Sequence, residues 1–113
     1  MSYKTEFPDY DGQLYVPKGF IDASWHNDIM PRAEKIIKVP QYANEVEAEV
    51  AFILCETEAE VQFILWQDYA DPQKREYDNG KRYIFQIEIN GESIFEVTTD
   101  DLDIAKQIIK CIA

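Results

Sequence analysis

Apolar residues recur at every second position through much of residues 59–97. This period predicts extended strands, because successive side chains of a strand point to opposite faces of its sheet. Three consecutive antiparallel strands are expected, at residues 60–69, 82–89 and 92–98. The dipeptide Asn90-Gly91 joins the last two strands, and it favours a tight two-residue hairpin because both residues tolerate a positive φ.

A helix is predicted over residues 100–112, where apolar residues recur at the spacing of one helix face. Three aspartates in the first turn suit the positive end of the helix dipole. We expect this helix to pack on one face of the sheet. The strand at 60–69 is apolar on both faces, so its second face must be covered by the N-terminal half or by a second copy of the chain.

The N-terminal half carries weaker patterns. Residues 1–20 hold five aromatic residues without a helical or strand period, and they predict an extended arm laid across an apolar surface. Residues 29–39 predict a short helix with Pro31 in its first turn, and extended structure over residues 35–39 is the alternative. Residues 44–55 predict either a strand or a helix. The alternating glutamates favour the strand, and a capping box at the start of the segment supports the helix.

These elements predict one α+β domain that spans residues 1–113. The expected fold is an antiparallel β-meander of three to four strands within residues 44–98, with a C-terminal helix packed on one face and an N-terminal arm plus a short helix. A chain of 113 residues can bury a core without a staple. The 46% content of hydrophobic residues excludes an intrinsically disordered chain.

The formal net charge is −11 at pH 7. Direct binding to nucleic acid or to an anionic membrane is not expected, because both need a basic protein face. The chain starts without the basic and apolar regions of a signal peptide, and its longest apolar run, residues 51–55, is too short to cross a bilayer. We therefore expect a cytoplasmic protein. The charge predicts a protein partner with a basic surface, and the alternative is an acidic surface that only maintains solubility.

Candidate binding residues fall in three groups. The first is an acidic run without an intervening base, the second is a segment dense in capping residues, and the third is the long loop of residues 68–82. In that order they are Glu45, Glu47, Glu49, Glu56 and Glu58; Trp25, His26 and Asp28; and Asp71 with Arg75. Trp66, Tyr69 and Tyr77 could line a groove with Trp25, although a core position is favoured for Trp66.

No catalytic set, metal site or cofactor is predicted. His26 is the single histidine and lies in no zinc spacing, so a locally hydrogen-bonded turn histidine is favoured over a ligand or base. The four glycines are not spaced as in a phosphate-binding loop. The carboxylates and arginines of the 68–82 loop predict a salt-bridged loop more readily than a cation site. Cys55 and Cys111 lie in no motif and are expected to be reduced, buried thiols.

Three functions follow from this pattern. The favoured one is a small acidic protein-binding module, such as an adaptor, an inhibitor or an immunity-type protein, that recognises the basic surface of a partner. The second is a small-ligand or enzymatic site near Trp25, His26 and the 68–82 loop. The third is a structural subunit that forms a homodimer.

Overall fold

A computed structural model describes residues 2–40, 58–77 and 80–112. Within these residues, five antiparallel strands form one sheet in chain order, with one helix before the strands and one after them. The strands are β1 (Ile21–Asp22), β2 (Arg32–Pro40), β3 (Glu58–Gln67), β4 (Tyr83–Ile89) and β5 (Glu92–Thr99), and the helices are α1 (Tyr3–Glu6) and α2 (Leu102–Ile112). The predicted α+β class is confirmed, with five strands instead of three to four.

The predicted three-stranded meander corresponds to β3, β4 and β5. Asn90 and Gly91 both have positive φ, 51° and 82°, as the hairpin turn between β4 and β5 requires. The register pairs Ile89 with Glu92 directly across this turn and shifts between Ile87 and Glu88. This irregularity resembles a β-bulge, which inserts an extra residue in one strand and bends it locally.

The short helix predicted over residues 29–39 is wrong. Residues 32–40 form β2, which pairs with β3 along its whole length, from Arg32 opposite Trp66 to Pro40 opposite Glu58. The β-branched residues of this segment fit a pleated sheet better than a helix. The pairing with β3 is non-local, so the local helical spacing did not decide the structure. The short N-terminal helix is α1, inside the predicted arm, and the Ser2 side chain caps it.

The main core lies between the sheet and α2. Its buried residues come from alternate positions of the strands, from the arm and from the apolar stripe of α2; they are Phe20, Ala33, Phe63, Leu65, Tyr83, Phe85, Ala105 and Ile109. The Asp101 carboxylate accepts a hydrogen bond of 2.9 Å from the Asp103 N–H and so caps α2. Of the stripe predicted for this helix, Ala105 and Ile109 are buried and Leu102 and Ile108 are partly buried, whereas Ile112 at its end is exposed.

The arm is tied to the end of β3. The buried Gln67 side chain accepts from the Tyr15 N–H at 2.7 Å and donates to the Tyr15 carbonyl at 2.6 Å. The Asp11 carboxylate accepts from the N–H groups of Ala70 and Asp71 at 2.7 and 2.9 Å. These side-chain bonds replace the ladder bonds that an irregular segment lacks.

The opposite face of the sheet has a smaller buried group. Met30, Ile64 and Ile84 are each 1% exposed there. Met30 belongs to the turn that precedes β2, so part of the N-terminal half covers this second face.

The buried position expected for Cys111 is wrong, since this thiol is exposed and free. Residues 44–55, including Cys55, lie outside the described residues. No described helix is both long and apolar enough to cross a membrane.

We predict that Gln67→Leu lowers the free energy of unfolding by about 2–4 kcal/mol, because the N–H and C=O groups of Tyr15 both lose their partner. Urea unfolding measures this loss. Gln107→Leu is the matched control, since Gln107 is exposed on α2 and its substitution should change stability by less than about 0.5 kcal/mol. Equal effects of the two substitutions would refute the proposed anchoring of the arm.

Candidate functional site

A cleft of about 320 Å³ lies on the face of the sheet opposite α2. The turn before β2, the strands β3 and β4, and the loop between those strands all contribute to it. Its lining residues are Asn27, Asp28, Ile29, Met30, Trp66, Tyr77, Ile84 and Gln86. This volume lies at the lower end of the range of roughly 300–1,000 Å³ for ligand pockets, so it suits one side chain or a small ligand.

The floor of the cleft is apolar. Met30 and Ile84 are almost fully buried, and Trp66 lies directly opposite Ile84 in the pairing of β3 with β4. Strand alternation explains this position: Trp66 and Ile84 point away from α2 because their neighbours Leu65 and Phe85 point toward it. An apolar floor of this kind binds the hydrocarbon part of a ligand.

A chain of hydrogen bonds fixes one wall. The Trp66 indole N–H donates to Gln86 Oε1 at 2.8 Å, and Gln86 Nε2 donates to Glu96 Oε1 at 2.7 Å. The Tyr77 hydroxyl donates to the other oxygen, Glu96 Oε2, at 2.8 Å. The Trp66 indole N–H and the Tyr77 hydroxyl therefore both have hydrogen-bond partners, and these bonds position the two rings in the absence of a ligand.

Tyr77 is held in place by a buried carboxylate. Asp68 is fully buried and accepts hydrogen bonds from the backbone N–H groups of Tyr69, Glu76 and Tyr77, at 2.8, 3.0 and 2.9 Å. The polypeptide thus folds back toward the end of β3 around this side chain. Asp68 fixes the backbone of the loop, and so it presents Tyr77 to the cleft.

The opposite wall is the turn that carries Asp28. The Ser24 N–H donates to Asp22 Oδ1 at 3.1 Å, and the Arg32 N–H donates to Ser24 Oγ at 3.2 Å. The Asp28 N–H donates to the Trp25 carbonyl at 2.9 Å. Side chains that bond nearby backbone groups are typical of tight turns, and here they fix the position of Asp28.

Asp28 has an unused hydrogen-bond acceptor. Its Oδ2 is buried and has no hydrogen-bond partner within the described part of the chain. The Arg32 Nε is 3.9 Å from this oxygen, which is too far for a hydrogen bond. A buried acceptor without a donor costs about 1–3 kcal/mol. A ligand that donates a hydrogen bond to this carboxylate would recover part of that cost.

Arg32 is bound mainly by other groups. Its Nε donates to the Ala23 carbonyl at 3.3 Å, and its guanidinium carbon lies 5.1 Å from the centre of the Trp66 ring. The Nη2 atom is 3.9 Å from Glu34 Oε2. The charge of Arg32 is therefore shared between Glu34 and Asp28, but Arg32 donates no hydrogen bond to Oδ2 of Asp28.

Trp25 and His26 are adjacent to the cleft in sequence but are not among its lining residues. Trp25 is 38% exposed, and its ring centre is 4.2 Å from that of His26. The His26 Nδ1 atom is 3.0 Å from Glu6 Oε1, and its side chain is largely exposed in a turn. His26 thus links the turn to α1, in a position that suits a local structural role.

Asp71 and Arg75 hold the shape of the loop. Asp71 caps the 3₁₀ turn Pro72–Lys74 through a hydrogen bond from the Gln73 N–H at 3.0 Å. The Arg75 guanidinium donates to the carbonyls of Tyr69, Ala70 and Gly80, and it donates to Asp100 at 2.7 Å. Most of the donor capacity of Arg75 is used inside the protein. Neither Asp71 nor Arg75 is a lining residue of the cleft.

Of the predicted acidic run, only Glu58 falls in the described residues, as the first residue of β3. Glu45, Glu47, Glu49 and Glu56 lie outside them. Of the aromatic residues expected to line a groove, Trp66 and Tyr77 do line the cleft. Sequence reasoning missed Gln86, although a glutamine within the apolar strand at 82–89 is the kind of signal that could have indicated a polar contact.

Comparison with known proteins gives no relative from which a function could be inferred. No protein-family model matches the chain, and neither the curated proteins nor the solved structures include a significant match. Within the described residues, no three His, Cys, Asp or Glu side chains are grouped so that they could hold a metal ion. The cleft is therefore the feature from which we infer a function.

We predict an acid-dependent loss of stability from the Glu6–His26 contact. The hydrogen bond from His26 is the main cause that lowers the pKa of Glu6 below its usual 4.5. A carboxylate with a lowered folded-state pKa contributes stability above its unfolded pKa, and this contribution is lost as the pH falls through the folded pKa.

Thermal unfolding of the wild type and of Glu6→Gln should therefore differ above the ordinary carboxyl pKa of 4.5, and the difference should disappear as the pH falls through the lowered folded-state pKa. Glu92→Gln, measured in the same way, is the control for the loss of one negative charge, because Glu92 is exposed on β5. A constant difference between wild type and Glu6→Gln across this range would exclude the contact as the source.

Proposed function

We propose that this protein is a small acidic protein-binding module, such as an adaptor, an inhibitor or an immunity-type protein, that recognises a basic surface of a cytoplasmic partner. One observation carries the proposal. The cleft combines an apolar floor with a carboxylate, Asp28, whose Oδ2 has no hydrogen-bond donor among the described residues. A protein partner supplies the complementary group when a basic side chain enters such a cleft.

Charge and cleft have different roles in this proposal. The net charge of −11 attracts a basic partner over long distance and raises the association rate, particularly at low salt. It provides little specificity by itself. The preformed cleft provides an anchor of defined shape, where desolvated contacts concentrate binding energy. The acidic run from Glu45 to Glu58 would add to the attraction for the partner.

A small-ligand protein is the second candidate. The cleft favours it by its volume of about 320 Å³, which a small organic cation would fill. A catalytic version has less support, because the proposed base, His26, pairs with Glu6 and is not a lining residue. Purified protein that binds small amines but no basic protein would favour this candidate.

A homodimer is the third candidate. Ile94 and Phe95 are partly exposed on the strand β5, and apolar residues on a sheet edge invite pairing with another copy. Glu92 and Glu96 lie on the same strand, and the high net charge opposes self-association. Sedimentation equilibrium decides this point, since a monomer at micromolar concentration would exclude the dimer.

We expect capture from an extract of the source cells to recover a basic protein that binds directly. Its purified form should associate with this chain at a rate that falls at least about tenfold between about 0.05 M and about 0.5 M salt, because screening removes the long-range attraction. Stopped-flow fluorescence or surface plasmon resonance measures that rate.

Asp28→Asn should mainly raise the dissociation rate, whereas Asp103→Asn, an equal change of charge at an exposed position of α2, should leave it nearly unchanged. A directly bound partner that is not basic, or an association rate insensitive to salt, would contradict the proposed function. If the two substitutions change the dissociation rate equally, binding depends on the net charge and the proposed anchor in the cleft is wrong.

A further inference from the structure

We propose that the cleft is a pocket for one arginine side chain of the partner. The hydrocarbon stem would lie on the apolar floor, and the guanidinium would lie beside Trp66 and Tyr77 with its N–H groups directed toward Asp28. This inference deepens the proposed function and rests on it, because the arginine belongs to a protein partner. It assigns a chemical class to a cleft whose lining mixes aromatic, apolar and acidic groups.

The floor suits the stem of an arginine. Met30 and Ile84 form a buried apolar surface, and the exposed Ile29 extends this surface at the rim. Long basic side chains bury their methylene groups against such surfaces and keep the charged group near polar atoms. A short amine without a stem would leave this floor uncovered.

The walls suit a guanidinium better than an ammonium. A guanidinium is planar, stacks on aromatic rings and carries five N–H donors in a fixed fork. The cleft offers two aromatic side chains, Trp66 and Tyr77, and acceptor groups on Asp28 and Asn27. A lysine ammonium is a compact, strongly hydrated charge that uses fewer of these groups.

The same face of the sheet already holds a guanidinium. Arg32 lies over the Trp66 ring at 5.1 Å, with carboxylate oxygens of Asp28 and Glu34 each 3.9 Å from its nitrogens. An indole and two carboxylates are therefore arranged here in a way that accommodates this group. Arg32 is not a lining residue of the cleft. Glu34 offsets part of the charge of Arg32, and this reduces the repulsion between Arg32 and a second guanidinium in the cleft.

Asp28 is accessible enough to accept a hydrogen bond from a guanidinium in the cleft. About a quarter of its side chain, 27%, is exposed, while Oδ2 itself is buried. Rotation about χ2 of an aspartate is soft, so a small turn of the carboxylate presents an oxygen to the cleft. A charge-assisted hydrogen bond from a guanidinium is stronger than a neutral one, and it would use the Oδ2 acceptor, which has an ion-pair contact with Arg32 but no hydrogen-bond donor among the described residues.

The test is an NMR titration of the ¹⁵N-labelled protein with N-acetyl-arginine amide. The two tryptophans give separate indole N–H signals: Trp66 lines the cleft, and Trp25 is an internal reference outside it. We expect a saturable shift of the Trp66 signal at millimolar concentration, with little change at Trp25. N-acetyl-citrulline amide, which has nearly the same shape without the charge, should bind at least about fivefold more weakly, and N-acetyl-lysine amide should also bind more weakly.

Asp28→Asn should weaken the binding of N-acetyl-arginine amide by about fivefold or more, since it removes the charge-assisted acceptor. Asp9→Asn is the matched control, because Asp9 is exposed and is not a lining residue of the cleft. Asp28 makes no side-chain hydrogen bond through Oδ2, so we expect the variant to fold, and its backbone spectrum verifies this. Equal binding of the citrulline or lysine compound, or an unchanged Trp66 signal, would overturn the arginine pocket.

The failure of this inference is distinguishable from failure of the proposed function. If the arginine compound leaves Trp66 unchanged but a basic partner still binds in a salt-dependent manner, the pocket is wrong and the binding module stands. If the compound binds at Trp66 but no basic protein binds directly, the pocket takes a small guanidinium ligand and the partner's arginine is excluded.

Discussion

The buried carboxylate of Asp68 is the interaction on which the rest of the structure depends. It ends β3 by accepting three backbone N–H groups of the following loop, while its own backbone connects other segments: the N–H donates to the Arg82 carbonyl at 2.7 Å, and the carbonyl accepts from the Tyr10 hydroxyl at 3.1 Å. A buried charge is tolerated only when hydrogen bonds replace its hydration. Here those bonds join the arm, the loop and the start of β4 at one point, and they also present Tyr77 to the cleft.

The two faces of the strand β3 lie in different environments. On one face, residues such as Leu65 pack under α2 in a core that is apolar and closed. On the other face, Trp66 lies beside polar side chains that are linked by hydrogen bonds across β4 and β5. A second apolar layer would have been simpler for stability alone. The polar connections hold Trp66 beside the cleft without leaving its indole N–H unpaired, and this is the physical reason for proposing that face as the binding face.

Local signals predicted the elements that are decided locally. Asn90-Gly91 specifies its hairpin through positive φ, and the stripe of α2 needs only one periodic face. Extended structure at β2 was predicted only as the alternative over residues 35–39, because its pairing partners on β3 lie 18 to 34 residues further along the chain and Pro31 with its neighbours imitates a helix start. The cleft was only partly predictable for the same reason. Asp28, Trp66 and Tyr77 each stood out as residues, but their meeting depends on strand register and on Asp68.

The most direct test of the proposed binding face is a crystal structure of this protein with its captured partner. The cleft beside Trp66 should be filled by a basic side chain of the partner, with a donor within hydrogen-bond distance of the Asp28 carboxylate. The Trp66–Gln86 and Tyr77–Glu96 hydrogen bonds should be unchanged from those of the free protein, since the rings are already held in place. A complex in which the partner contacts α2 or the sheet edge, and the cleft stays open to solvent, would contradict this.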